Sequence, residues 1–101
     1  MEKIINIAKD FSDSPGARYY DDGDFSGEQF RDEFLLKYFD NYDRIIVNLD
    51  GTEGYATSFL EESFGGLARI KGKDLVLRKI EFISNEEPDL IEEIQQYIKA
   101  V

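Results

Sequence analysis

The sequence has no cysteine, no histidine, no tryptophan and only two prolines. Without cysteine there is no disulfide framework, no thiolate nucleophile and no thiolate metal site. Without histidine the chain lacks the commonest general base near neutral pH, the usual base of a catalytic triad and the commonest zinc ligand. Any catalysis would fall to Asp, Glu, Ser, Thr, Tyr, Lys and Arg. Long apolar stretches are missing too: the longest runs are Phe34 to Leu36, Ile45 to Val47 and Leu75 to Leu77, far short of a spanning helix. The first residues, Met-Glu-Lys-Ile-Ile-Asn, have no signal-peptide apolar region. Positive charge is scarce: 12 Lys and Arg face 22 Asp and Glu, a net charge of −10. A partner held through its phosphates needs clustered Lys and Arg to displace counterions, and an anionic membrane surface needs the same. Nucleic acid and membrane are therefore excluded as expected partners, and a cytoplasmic location follows by elimination.

What is present is a core. Hydrophobic residues make up 42% of the 101, including eight Phe and six Tyr, where a disordered acidic chain would be poor in both. One domain spanning 1–101 is the expectation. Residues 3–8 are Ile-rich and read as a strand. Asp13-Ser14-Pro15-Gly16 is a turn signal, after which Arg18-Tyr19-Tyr20 is expected to return as a second strand. Ser26-Gly27-Glu28-Gln29 has the form of a capping box and opens a helix over 26–39, with Phe30, Phe34, Leu35 and Tyr38 on its apolar face. The β-branched run in 44–49 predicts a central strand. Beyond Thr57, the spacing of Phe59, Leu60, Phe64, Leu67 and Ile70 predicts a second helix. Gly65 and Gly66 inside it suggest close approach of a neighbour, expected to be the sheet, and Gly72 closes it. Residues 75–83 alternate and read as a strand; Pro88 opens a last helix with Ile91, Ile94 and Ile98 as its stripe. The pattern is an α/β domain: a mixed, mostly parallel sheet of about four strands with about three helices.

The segment joining the central strand to the second helix, Asn48 to Leu60, lies at the C-terminal edge of such a sheet, where open α/β folds place ligands and switches. Ser58, followed by Phe59-Leu60-Glu61, reads as a second capping box. Two roles are open for Ser58. It caps the helix, worth about 1 kcal/mol, or it is a phosphosite whose phosphate the helix N-terminus would hold. Tyr55 beside it is expected at an interface. The acidic loop Asp21-Asp22-Gly23-Asp24 fails the EF-hand pattern, and no metal or cofactor is expected.

Asn48-Leu49-Asp50-Gly51, six further residues, Ser58 and an apolar helix together resemble the signature of STAS domains, the fold of anti-sigma-factor antagonists. Ser26 to Arg31 and Ser58 to Leu67 are similar to its uncharacterised STAS-like relatives. The resemblance implies that Ser58 corresponds to the STAS phosphoserine and Thr57 to the hydroxyl residue before it. Two positions depart: Ala56 stands where the family has an acidic residue, and Phe59 where it has glycine. By this resemblance the chain is a non-enzymatic interaction and switch module, a monomer or weak dimer. Its interaction surface would comprise Asp50, Tyr55, Thr57, Phe59 and Glu61 around Ser58, and its partner would be an anti-sigma-type, histidine-kinase-like ATPase. A small-molecule binding domain using the same loop, and a small enzyme using Asp50 or Glu61, are the alternatives.

Overall fold

A computed structural model describes all residues, 1–101. Three parallel strands form the sheet: β1 (Glu2–Asn6), β2 (Arg44–Asn48) and β3 (Ile80–Ile83), ordered β1-β2-β3. The rows Ile5–Val47–Phe82 and Ile45–Ile80 point to one face, while Ile4–Ile46–Glu81 point to the other. Strands added in sequence order by right-handed crossovers put every connecting helix on one face. Ile5, Ile45, Val47 and Ile80 accordingly lie in a single core of 18 buried residues shared with all the long helices. The opposite face has no layer over it: Ile4 is 60% exposed and Ile83 38%. There Arg44 bridges Glu2 at 3.4 Å and Glu81 at 3.3 Å, across all three strands.

The first crossover is α1, continuous over 27–39 as Gly27–Phe30, a wider π-type turn Arg31–Leu35 and Leu36–Phe39. Its buried stripe is Phe30, Leu35 and Phe39; Phe34 and Tyr38, expected inside, are half-covered at its rim. Helix α2 covers 57–71 in the same three-part manner, Thr57–Leu60, Glu61–Gly65 and Gly66–Lys71. It buries Phe59, Leu60, Phe64, Leu67 and Ala68, whereas Ile70 is 54% exposed. After β3, α4 (Asp89–Lys99) packs Leu90, Ile94 and Ile98 into the same core, with Ile91 only half-buried. Phe rings tie the layers together: Phe30 stands 5.9 Å from Phe59 and 6.1 Å from Phe64, and Phe64 stands 5.1 Å from Phe82 of β3.

One expected strand is absent and another is shortened. Arg18-Tyr19-Tyr20 does not return along β1: the chain turns through a π-type turn (Ile7–Phe11) and later a 3₁₀ turn (Tyr20–Asp22). Instead, Ala17 and Arg18 offer their carbonyls to the N–H groups of Gly27 and Glu28, at 2.8 and 2.9 Å, along the start of α1. The sheet therefore has three strands, all parallel. The second correction is helix α3 (Lys73–Lys79), which occupies the first half of the expected strand 75–83. Gly72, at φ +92°, breaks α2, and the chain restarts at once as a helix. Only Val76 of α3 is buried, and one inward residue per turn satisfies either period.

Candidate functional site

The C-terminal edge of the sheet is stitched together by side chains from three loops. Asn48 ends β2 and accepts from the Asp50 N–H at 2.9 Å through its Oδ1, an Asx-type turn. The Asp50 carboxylate then accepts from Asn85 N–H (2.9 Å), Glu86 N–H (3.0 Å) and Asn85 Nδ2 (3.0 Å). Glu86 answers by accepting from Gly51 N–H at 2.9 Å. A third loop joins where Ser14 Oγ donates to Glu53 at 2.9 Å and Glu53 N–H donates to the Asp13 carbonyl. Asp50 is thus a clamp between the loops after β2 and β3, with three of its carboxylate's acceptor positions used inside the fold.

Tyr55 is half-buried, donates from its hydroxyl to the Leu49 carbonyl at 2.7 Å and stacks at 5.9 Å on Phe59. Burial pushes its phenol up to about 12, helped by the nearby Asp50, Glu86 and Glu87 charges and opposed by Thr52. Tyr55 therefore anchors the approach to α2. Phe59 corrects the sequence reading: it has no exposed surface and cannot line an interaction face. Its ring fills the core beneath Tyr55, against Phe30 and Phe11.

The cap of α2 also departs from expectation. The extended residue that precedes the helix is Ala56 (φ −72°, ψ 141°), whose carbonyl accepts from Leu60 N–H, and no side chain caps the first turn. Thr57 is the first helical residue and Ser58 the second, so the Ser58–Glu61 capping box does not form. Ser58 is half-buried and its hydroxyl has no hydrogen-bond partner, while Thr57 is exposed. Thr57 also lies against Tyr97 of α4, whose hydroxyl donates to Glu93 at 2.5 Å.

Glu61, expected to flank Ser58, belongs to an ion cluster between α1, α2 and the loop before α1. Arg18 Nη1 reaches Glu61 at 2.6 Å and Glu62 at 3.1 Å; Arg69 Nη1 reaches Glu61 at 2.7 Å. Arg31 Nη1 meets the other Glu62 oxygen at 2.5 Å. The Arg69 hydrogen bond, with Arg18 behind it, holds the Glu61 carboxyl below its ordinary range against the opposing effect of burial. Glu62 is only 6% exposed, and a carboxylate that deep needs such partners. Gly66 makes room for them: a Cβ there would stand 3.0 Å from Arg31 Nη1 and 3.3 Å from Glu62 Oε2. A Cβ on Gly65 would strike the Glu61 carboxylate at 2.5 Å. The neighbour implied by the glycine pair is therefore this ion cluster and not the sheet. Sequence reasoning missed Arg18, Arg31 and Arg69 because they come from three segments; the adjacent glycines were the only local trace.

Beneath the stitched loops lies a cavity of about 150 Å³, lined by Leu49, Asp50, Thr52, Tyr55, Glu86 and Leu90 among others. No cluster of acidic residues has the form of a metal site, and no helix is long and apolar enough to cross a membrane.

A parallel α/β sheet with a strand–loop–helix segment at its C-terminal edge defines the class. A family model described as a STAS-like domain of unknown function matches residues 26–90, from the cap of α1 to the first turn of α4. The chain belongs to that STAS-like family. No curated protein and no solved structure matches it.

Proposed function

We propose that this domain is a non-enzymatic protein–protein interaction and switch module, and that Ser58 is the residue whose modification sets the switch. The observation that carries the reading is the state of Ser58: a hydroxyl without a partner, in the first turn of a helix whose leading N–H groups have no side-chain cap. A phosphate at that position would meet those N–H groups and the positive end of the helix. One and two places beyond the first helical turn, Glu61 and Glu62 lie on the same face as Ser58 by i,i+3 and i,i+4 spacing, but Arg18, Arg31 and Arg69 neutralise them. Added charge of about −1.5 to −2 would therefore change the surface without opposing an unpaired carboxylate.

Membership in the STAS-like family supports the fold of such a module, and the resemblance to anti-sigma-factor antagonists supports a histidine-kinase-like ATPase as the partner. Asp50 and Tyr55 hold the segment in place; Thr57, Ser58 and the rim of Glu61 are what a partner would touch. A chain of net charge −10 favours a basic partner face and associates faster at low salt. The competing readings have less support. The cavity of about 150 Å³ and the open hollow of about 420 Å³ beside it, lined by Asn6, Lys9, Asp13, Asp50, Gly51 and Glu86, are walled mostly by polar loop residues, whereas ligand pockets are lined predominantly by apolar and aromatic side chains. The enzyme reading rests on Asp50 or Glu61, and those carboxylates already hold the loops and helices together through Asn85, Glu86, Arg18 and Arg69.

The test has two arms: phosphate mapping by mass spectrometry on protein from the source cell, and binding of Ser58→Asp and Ser58→Ala to the ATPase recovered with it. The expected result is phosphate on Ser58 and at least tenfold weaker binding by Ser58→Asp at an unchanged denaturation midpoint. Equal binding by the two variants overturns the reading.

A further inference from the structure

Strand β1 lies at an edge of the sheet, paired with β2 alone. Along a strand, successive residues turn their N–H and C=O groups to alternate sides. The Met1 carbonyl accepts from Asp43 N–H at 2.9 Å, which sets the odd positions toward β2. The Asn6 N–H is turned the other way and donates to Asp10 Oδ2 at 2.8 Å. Ile4, at the middle of β1, therefore directs its N–H and C=O outward, and its side chain is 60% exposed on the uncovered face. Edge strands are ordinarily guarded by shortness, charged side chains, proline, a bulge or a covering loop; the five residues Glu-Lys-Ile-Ile-Asn carry no proline or bulge, and their charges, Glu2 and Lys3, leave Ile4 itself unguarded. On the helix side of the edge runs a groove lined by Lys3, Ile5, Lys9, Asp10, Phe34 and Tyr38, with Lys3 held 4.5 Å above the Tyr38 ring.

We propose that β1 is a self-association edge, pairing antiparallel with β1 of a second copy to join two three-stranded sheets into one. The five residues themselves select this occupant. A twofold axis at Ile4 sets Ile4 against Ile4, Lys3 against Ile5 and Glu2 against Asn6; the Ile4 pair exchanges both its N–H and C=O bonds, the Asn6 N–H stays with Asp10, and no like charges are directly opposed. Sliding by one step in the direction that keeps the sheet faces matched sets Lys3 against Lys3; sliding the other way leaves Glu2 and Lys3 beyond the partner strand. The edge is also locally neutral, with Glu2 and Asp10 balancing Lys3 and Lys9 in a chain of −10, so close approach is least opposed there. Pairing buries Ile4 and makes the two uncovered faces continuous. One five-residue strand makes a weak, reversible dimer. Because the remaining repulsion is between two acidic bodies, added salt strengthens it, the reverse of what a basic partner would show. The inference is independent of Ser58.

Sedimentation equilibrium of the full chain, from about 10 μM to about 1 mM at low and high salt, tests it with two variants. Ile4→Pro removes an N–H that β2 does not use; Ile4→Lys keeps the backbone and places charge on the twofold axis. The expected result is a reversible dimer that tightens with salt and weakens at least tenfold in each variant, with the Ile4→Lys denaturation midpoint unchanged. If Ile4→Pro does not fold, Ile4→Lys decides. A wild-type chain monomeric to about 1 mM, a dimer equally tight in Ile4→Lys, or one that loosens with salt each overturns the proposal. Capture of an unrelated extended peptide at this edge by a monomeric chain does so as well.

Discussion

Ser26 and Ser58 stand before the same kind of sequence: a serine, two residues, then Gln29 or Glu61, then an apolar helix. Their fates differ. Ser26 is fully buried, sits just outside α1 and accepts from Gln29 N–H at 3.0 Å. Gln29 reaches back to the N–H of Phe25, one residue earlier than a standard box requires. Ser58 is already inside α2, half-buried and unbonded. What separates them is how the chain arrives. Phe25, at φ +57°, is bent into the left-handed region and turns Ser26 into the cap position, a conformation costly for a bulky residue. At α2 the chain comes in extended from Tyr55, pinned by its bond to the Leu49 carbonyl and its stacking on Phe59. The helix then begins one residue before Ser58, at Thr57. A capping pattern gives a serine the chemistry to cap; tertiary anchoring of the preceding residue decides whether it does.

The comparison can be broken hardest through the residues that follow each serine. Phe59, fully buried, anchors the α2 start, and Phe59→Ala is expected to cost about 3–5 kcal/mol, read from urea denaturation. Gly27 follows Ser26, and a Cβ there would meet the Phe59 carbonyl oxygen at 2.6 Å. Gly27→Ala should therefore cost about 1–3 kcal/mol, although alanine is the better helix former. The serines themselves come next: Ser26→Ala leaves the part-buried Gln29 N–H without its cap and should cost about 1–2 kcal/mol, while Ser58→Ala stays within about 0.5 kcal/mol. Equal losses in the two variants would erase the distinction. Giving α2 the cap it lacks, Ala56→Ser, is expected to stabilise by about 0.5–1 kcal/mol.

The smallest effect separates Glu61 from the cap role its sequence position suggests. Its folded carboxyl is held below the ordinary range by Arg69 and Arg18, so the unfolded chain takes up the proton first as pH falls. The stabilisation is complete above the ordinary glutamate value of about 4.3 and is lost as pH drops through the lowered folded value. Glu61→Gln should flatten that acid limb of the stability profile, and Ser58→Ala should leave it unchanged. A Glu61 that merely served a capping box would give no such flattening.

The elements with long, one-sided apolar patterns were legible in advance. Helix α1, strand β2 and the helix after Pro88 appear within a residue or two of where periodicity puts them, because each buries a face that only one period fits. The stretch 73–79 was not legible: Lys-Asp-Leu-Val-Leu-Arg-Lys alternates like a strand and equally suits a short helix. Gly72 and the single inward Val76 decide it. The missing return strand was hidden for another reason, since Arg18 is drawn to Glu61 and Glu62 more than forty residues away. Of the site residues, the sequence located the strand–loop–helix segment containing Ser58. It did not reveal that Asp50, Phe59 and Glu61 face inward to partners of their own.

Gly66 carries a consequence for how this chain can vary. Any side chain at position 66 competes for the space that Arg31 and Glu62 occupy. Alanine there would press on the Arg31 guanidinium at 3.0 Å, and the shift that relieves it loosens the Arg31 contact to a Glu62 only 6% exposed. Positions 31, 62 and 66 are coupled: a substitution at one changes the cost of a substitution at the other two.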